Sequence, residues 1–169
     1  MKIIYAILLT AIAFPAAAHG PTPRKTDETA LIKSPPAEVW KQLSEPCAIT
    51  SWHPDVAECQ EISKTKRTLT LKNGGKITEE IDEILPAEYS ISYRLASDSE
   101  IKALPVSSLS GRLKVKAEGS GSQVIWALRY YRADTENEPK EGQDDESAQS
   151  AVDSYVKAGL AGLDNPAKK

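Results

Sequence analysis

Three segments of this chain alternate apolar and polar residues one by one, a pattern no helix can use. Tyr89, Ile91, Tyr93 and Leu95 are separated by Ser90, Ser92 and Arg94. Leu109, Gly111, Leu113, Val115 and Ala117 repeat the period, as do Val124, Trp126, Leu128 and Tyr130. A period of two sends successive side chains to opposite faces, so each segment predicts a half-buried strand. Shorter stretches extend the series. Thr68 to Lys72 alternates, Asn73-Gly74-Gly75 supplies a tight hairpin turn, and Ile77, Glu79 and Ile81 share one face of the next strand. Gly119-Ser120-Gly121-Ser122 turns the chain between the last two strands, and Thr29 to Lys33 predicts a short strand near the start. Five or six antiparallel strands follow in sequence.

The period becomes helical in three places. Ser34-Pro35-Pro36 reads as a helix start with a serine cap and proline in the first turn, and Val39, Trp40 and Leu43 then mark one buried face before Pro46. Ala48 to Trp52 predicts a second short helix that Pro54 stops. Ala148, Val152, Tyr155, Val156, Gly159, Leu160 and Leu163 recur at helical spacing over a much longer stretch that Asn165-Pro166 ends. A long sheet must cover its apolar face, and this last helix is the only long element available to do so. The predicted fold is therefore α+β: a curved antiparallel sheet gripping a C-terminal helix, with two short helices after the first strand. A helix does not fill such a concavity from end to end, so a pocket is expected between them.

The chain has 169 residues, of which 40% are apolar and 27% charged, the proportions of one globular domain. A formal charge of -3 gives no cationic surface for phosphates, which argues against nucleic-acid binding. Lys2, the apolar run from Ile3 to Phe14 and the small residues Ala16-Ala17-Ala18 have the form of a cleaved secretory signal peptide. The run is shorter than the ~20 residues that span a bilayer, and no other run approaches that length. The expected organisation is a signal peptide over residues 1–18, an extended arm over 19–28, the domain over 29–163 and a tail over 164–169. Between Asp134 and Glu146 lie seven acidic residues and a single Lys140, a block expected to stay solvated and mobile, or to steer a basic partner.

Export bears on Cys47 and Cys59. An even pair in an oxidising compartment predicts a disulfide, although two buried free thiols fit the sequence as well. His53, between Trp52 and Pro54, is placed on a loop at the mouth of the grip, where it either contacts a ligand and exchanges protons or ties the loop down. Trp52, His53 and Pro54, with Tyr93, Trp126 and Tyr155, form the candidate ligand-binding set; the tryptophans and tyrosines serve equally well as core. Arg94 and Arg129 would receive an anion only if they faced the concave side. If cleavage falls after Ala18, the free amine and imidazole of His19 together make a candidate chelate for copper. No phosphate-binding glycine loop, nucleophile elbow or zinc-protease motif occurs, and no cofactor is implied.

Pro36-Ala37-Glu38-Val39-Trp40, Trp52-His53-Pro54-Asp55-Val56, and Arg67 to Leu71 with Asn73-Gly74-Gly75 resemble the START-like superfamily, also described as SRPBCC, Bet v 1-like or polyketide cyclase/dehydrase-like. Pro105-Val106, Trp126 and the Tyr155…Gly159-Leu160…Leu163 ending extend the likeness over about Thr29 to Leu163. With the signal-like start and His19-Gly20-Pro21-Thr22-Pro23, the chain is similar to the MxaD-type accessory proteins of bacterial methanol oxidation. That resemblance implies a periplasmic, non-enzymatic role beside methanol dehydrogenase and its cytochrome c, with a small hydrophobic ligand as a further possible partner. The superfamily mixes lipid carriers, cyclases, hydrolases and plain binders, so fold does not choose among them. A cyclase- or hydrolase-type enzyme using His53 as acid and base, and a copper carrier using His19, remain the alternatives.

Overall fold

The computed structural model describes residues 20–164; the predicted signal peptide, His19 and nearly all of the predicted tail lie outside them. Seven strands form one antiparallel sheet: β1 (Arg24–Ile32), β2 (Val56–Ser63), β3 (Lys66–Leu71), β4 (Lys76–Leu85), β5 (Ser90–Leu95), β6 (Val106–Glu118) and β7 (Gly121–Arg132). Their spatial order is β1-β7-β6-β5-β4-β3-β2. Hairpins join β2 through β7 in turn, while β1 returns beside β7, with Arg24 opposite Tyr130 and Ile32 opposite Ser122. Helices α1 (Pro36–Ser44) and α2 (Ile49–Trp52) carry the chain from one sheet edge to the other. The long helix α3 (Asp145–Asp164) packs against β1 and β7.

Every residue that the helical period placed on the inner face of α3, from Ala148 to Leu163, is buried. The alternation of β6 and β7 is also realised: Leu109, Gly111, Leu113 and Val115 are buried on one strand, and Val124, Trp126, Leu128 and Tyr130 on the other. Burying one such aliphatic side chain stabilises by roughly 1.5–3 kcal/mol, so these facing rows hold helix and sheet together. Among the described residues no helix is long and apolar enough to cross a membrane.

Four features differ from the expectations. Strand β1 begins at Arg24, so residues 24–28 of the predicted arm pair with β7. Their inward positions carry Thr26 and Glu28 rather than apolar side chains, which hides the period. Strand β2 gave no signal because it is an edge strand, mostly exposed beyond Val56, with two register shifts and with the exposed charges of Glu58 and Glu61 along it. The cap of α1 is Pro35 without a side-chain hydrogen bond; Ser34 instead accepts a bond from Ser122 Oγ on its carbonyl, at 2.6 Å. The acidic segment after β7 is fastened rather than loose. Arg132 donates from Nε to the Asp134 carbonyl, from Nη2 to the Glu136 carbonyl and from Nη1 to the Asp145 carboxylate, at 2.7, 2.7 and 3.0 Å. Asp144 then caps α3 by accepting the Ser147 N–H at 2.8 Å.

Cys47 and Cys59 are joined, so the free-thiol alternative falls. The bridge ties the corner between α1 and α2 to the exposed strand β2 over a separation of 12 residues. A loop of that size gains about 3 kcal/mol of stability in the chain-entropy account.

Candidate functional site

Beneath α3 the hollow of the grip is filled by the side chains that the sequence singled out. His53 follows α2, whose last turn holds it through a bond from its N–H to the Ile49 carbonyl, at 2.8 Å. It does not stand at a rim: it is 2% exposed. Its ring stacks on Tyr155 with centroids 4.1 Å apart and meets Trp126 edge-on at 6.1 Å. Trp52 and Trp126 pack edge-on at 6.1 Å, and Tyr93 joins by accepting a bond from Trp126 Nε1 at 3.0 Å. Of the predicted ligand set only Pro54 is exposed; the others form one buried aromatic cluster.

Three glycines admit this packing. A methyl group on Gly159 would lie 2.7 Å from both His53 and Trp126, so helix and ring approach only because that side chain is absent. A methyl on Gly162 would overlap the Trp52 carbonyl, and one on Gly111 the Tyr93 ring.

The electrostatics of His53 follow from the same burial. Nδ1 accepts the Asp55 N–H at 3.2 Å, which assigns the ring proton to Nε2 in the neutral form. Burial pulls the pKa down to about 4; the nearby Tyr155 carbonyl opposes this, and the Arg67 charge adds to it. That carbonyl favours charge without forming a well-directed bond, so Nε2 has no hydrogen-bond partner. His53 is therefore neutral at ordinary pH.

Two charged residues complete the centre. Arg67 and Glu79 face each other across β3 and β4, with Arg67 Nε 2.7 Å and Nη2 2.6 Å from Glu79 Oε2. Arg67 also donates to the Pro46 carbonyl beside the disulfide. Burial would lower the Arg67 pKa, but the attraction of Glu79 outweighs it and holds the guanidinium charged. The sequence carried a signal for Glu79, a carboxylate between Ile77 and Ile81 on an apolar face, yet its partner gave none. Arg94 and Arg129 lie on the outer face, Arg94 paired with Glu80 and Asp82 and Arg129 with Asp27.

Free space lies at the end of the grip rather than in its middle. A cleft of about 250 Å³ opens between α3, the β3–β4 turn and the loop before β6, walled by Leu71, Ala103, Leu104, Ala151 and Tyr155. Outside α2, Trp52, His53 and Pro54 back a shallow groove of about 330 Å³. The sites that survive burial are therefore peripheral to the aromatic cluster.

A family profile described as polyketide cyclase / dehydrase and lipid transport matches residues 23–167. No protein of curated function matches the sequence. Among solved structures, the protein XoxI from Bacillus cereus is 20% identical with a TM-score of 0.69, covering 83% of this chain and 92% of its own. A putative uncharacterised protein from Bacillus thuringiensis is 19% identical with a TM-score of 0.70, covering 83% and 96%. The Zhui aromatase/cyclase from Streptomyces sp. R1128 is 16% identical with a TM-score of 0.65, covering 84% and 92%. At these identities the likeness is one of fold.

Proposed function

The chain belongs to the polyketide cyclase/dehydrase and lipid transport family, and from that premise we propose that it is a non-catalytic periplasmic accessory protein of methanol oxidation, acting beside methanol dehydrogenase and its cytochrome c. The observation that carries the non-catalytic half is the state of His53. A general acid or base works best with a pKa near the operating pH, whereas burial holds this ring at about 4 and gives its Nδ1 to the Asp55 N–H. The remaining charges of the centre, Arg67 and Glu79, neutralise each other. Trp126, Tyr93 and Tyr155 are buried beside these groups, which supports a packed centre over a substrate chamber.

The methanol-oxidation half is supported by the Trp52-His53-Pro54 resemblance, the signal-like start and the disulfide, which suits an oxidising compartment. The test is reconstitution. Added to methanol dehydrogenase and cytochrome c, the chain is expected to change the rate of cytochrome reduction, to leave dye-linked dehydrogenase turnover unaltered, and to act equally well as His53→Gln. No effect on the coupled rate removes the accessory role. A turnover by the chain alone that His53→Gln abolishes restores the enzyme.

A further inference from the structure

The Cys47–Cys59 bridge joins two parts of the fold that little else holds. Cys47 stands at the corner between α1 and α2, Cys59 in the middle of β2, and both are half-buried. Strand β2 has no neighbour on its outer side. Its regular pairing with β3 runs only from Glu58 to Glu61, with a register shift on either side, and none of its residues beyond Val56 is fully buried. The corner is held as lightly. Among the described residues, the hydrogen bonds of residues 45–48 close on the corner itself and on α2, apart from the one that Arg67 donates to the Pro46 carbonyl. By contrast, the segment enclosed by the bridge is rooted in the core through Ile49 and Trp52, which are 2% and 4% exposed. Segments with few buried contacts open at low cost, so opening of the corner and of β2 is separable from unfolding of the core.

The corner borders the charged centre. Leu43, Ser44 and Pro46 share with Arg67, Ile81 and Ile91 the lining of a space of about 20 Å³, room for roughly one water. Cys59 Sγ lies 3.8 Å from the same Pro46 carbonyl that Arg67 holds. The bridge thus fixes the carbonyl that caps the guanidinium, beside a charge pair whose side chains are 11% and 2% exposed. One bridge supplies less than the whole stability of a domain, so its loss leaves the core folded.

We propose that the Cys47–Cys59 bridge is a redox-operated latch: a dithiol opens it in the folded protein, releasing the corner and β2 and admitting water to the Arg67–Glu79 pair while α3 and the aromatic cluster stay packed. In the chemical step a thiolate of the dithiol bonds to one cysteine sulfur as the S–S bond breaks, and the departing cysteine thiolate takes up a proton. The second thiol of the reductant then displaces the other cysteine. Two electrons and two protons pass to the chain, which gains two thiols, and the reductant becomes a disulfide. A disulfide oxidant runs the same steps backwards, so the redox poise of the surroundings sets whether the charge pair is sealed. The latch is independent of the dehydrogenase and the cytochrome.

Dithiothreitol is the probe. Added to the folded, isotope-labelled protein, it is expected to reduce the bridge at a rate within about a hundredfold of that in urea. A bridge reached only through global unfolding would be reduced at least ~10³-fold more slowly than in urea. In NMR spectra the amides of Cys47, Ala48 and residues 57–62 are expected to shift or broaden on reduction, and the Arg67 Nε–H to exchange faster with water. The Trp126 indole and the α3 amides are expected to keep their positions, and oxidised glutathione to restore the original spectrum. Cys47→Ser with Cys59→Ser is expected to give the spectrum of the reduced chain without reductant. Reduction slowed to the global-unfolding rate, an unmoved corner, loss of the Trp126 indole signal on reduction, or an unfolded double variant each overturns the proposal. A failed reconstitution with the dehydrogenase bears on none of these outcomes.

Discussion

Arg67 and Arg132 are buried to nearly the same degree, with side chains 11% and 10% exposed, and they serve opposite ends. Arg67 stands in the centre of the grip and meets a carboxylate, Glu79, that is itself only 2% exposed. Arg132 stands where β7 leaves the sheet and gives two of its three bonds to backbone carbonyls of the segment it fastens. In the centre, charge answers charge in a poorly screened medium, so neither partner can be lost alone. At the edge, the guanidinium replaces water as the donor to carbonyls of an irregular segment, and losing it frees that segment without opening the core. Equal burial of the same side chain thus has different consequences, set by what the partner is.

The largest expected effect separates the two regions most sharply. Glu79→Gln strands the Arg67 charge and should destabilise the chain by about 3–5 kcal/mol in urea unfolding, with amide exchange around Arg132 changed only through global opening. Replacing both partners, Arg67→Met with Glu79→Leu, should recover much of that loss. A double replacement as unstable as Glu79→Gln would mean that the pair adds specific structure beyond charge balance.

Acidification should reach the two regions in different windows. His53 has a folded-state pKa of about 4 against 6.5 for the free side chain. The unfolded chain therefore binds the extra proton first, and stability present above pH 6.5 declines as pH falls from 6.5 through 4, by roughly 3 kcal/mol over the window. His53→Gln should flatten that slope in pH-dependent denaturation. Asp134 is held below its usual 3.8 by the Glu136 and Lys140 N–H groups, and Asp144 by the Ser147 N–H. What these exposed carboxylates contribute is present above that value and lost only at still lower pH. Loosening of the acidic segment above pH 5, ahead of the core, would contradict this order.

The smallest effect belongs to the edge. Arg132→Met should cost about 1–3 kcal/mol and raise amide exchange and proteolysis between Asp134 and Gln143, with Trp126 fluorescence unchanged. If this variant unfolds as completely as Glu79→Gln, the contrast between centre and edge is wrong.

What was legible followed from local periodicity. The buried face of α3, the facing rows of β6 and β7 and the hairpin at Asn73-Gly74 depend on the side-chain period and on a glycine at φ +79°, properties each segment carries alone. Strand β2 was not legible, because an edge strand needs no apolar alternation. The order of the 134–146 segment was also hidden, since it depends on one arginine outside that segment.

The sequence alone thus determined the α+β grip, the cysteine pair as a candidate bridge and the aromatic residues that would meet inside. The position of His53 was decided by tertiary structure: the same Trp52-His53-Pro54 that reads as a loop at a rim is carried under α3 because Gly159 and Gly162 let helix and ring approach. So was the pairing of Arg67 with Glu79, which a strand register places face to face. Burial is a property of all the neighbours at once, and it fixes both the protonation of an imidazole and the place where open space remains.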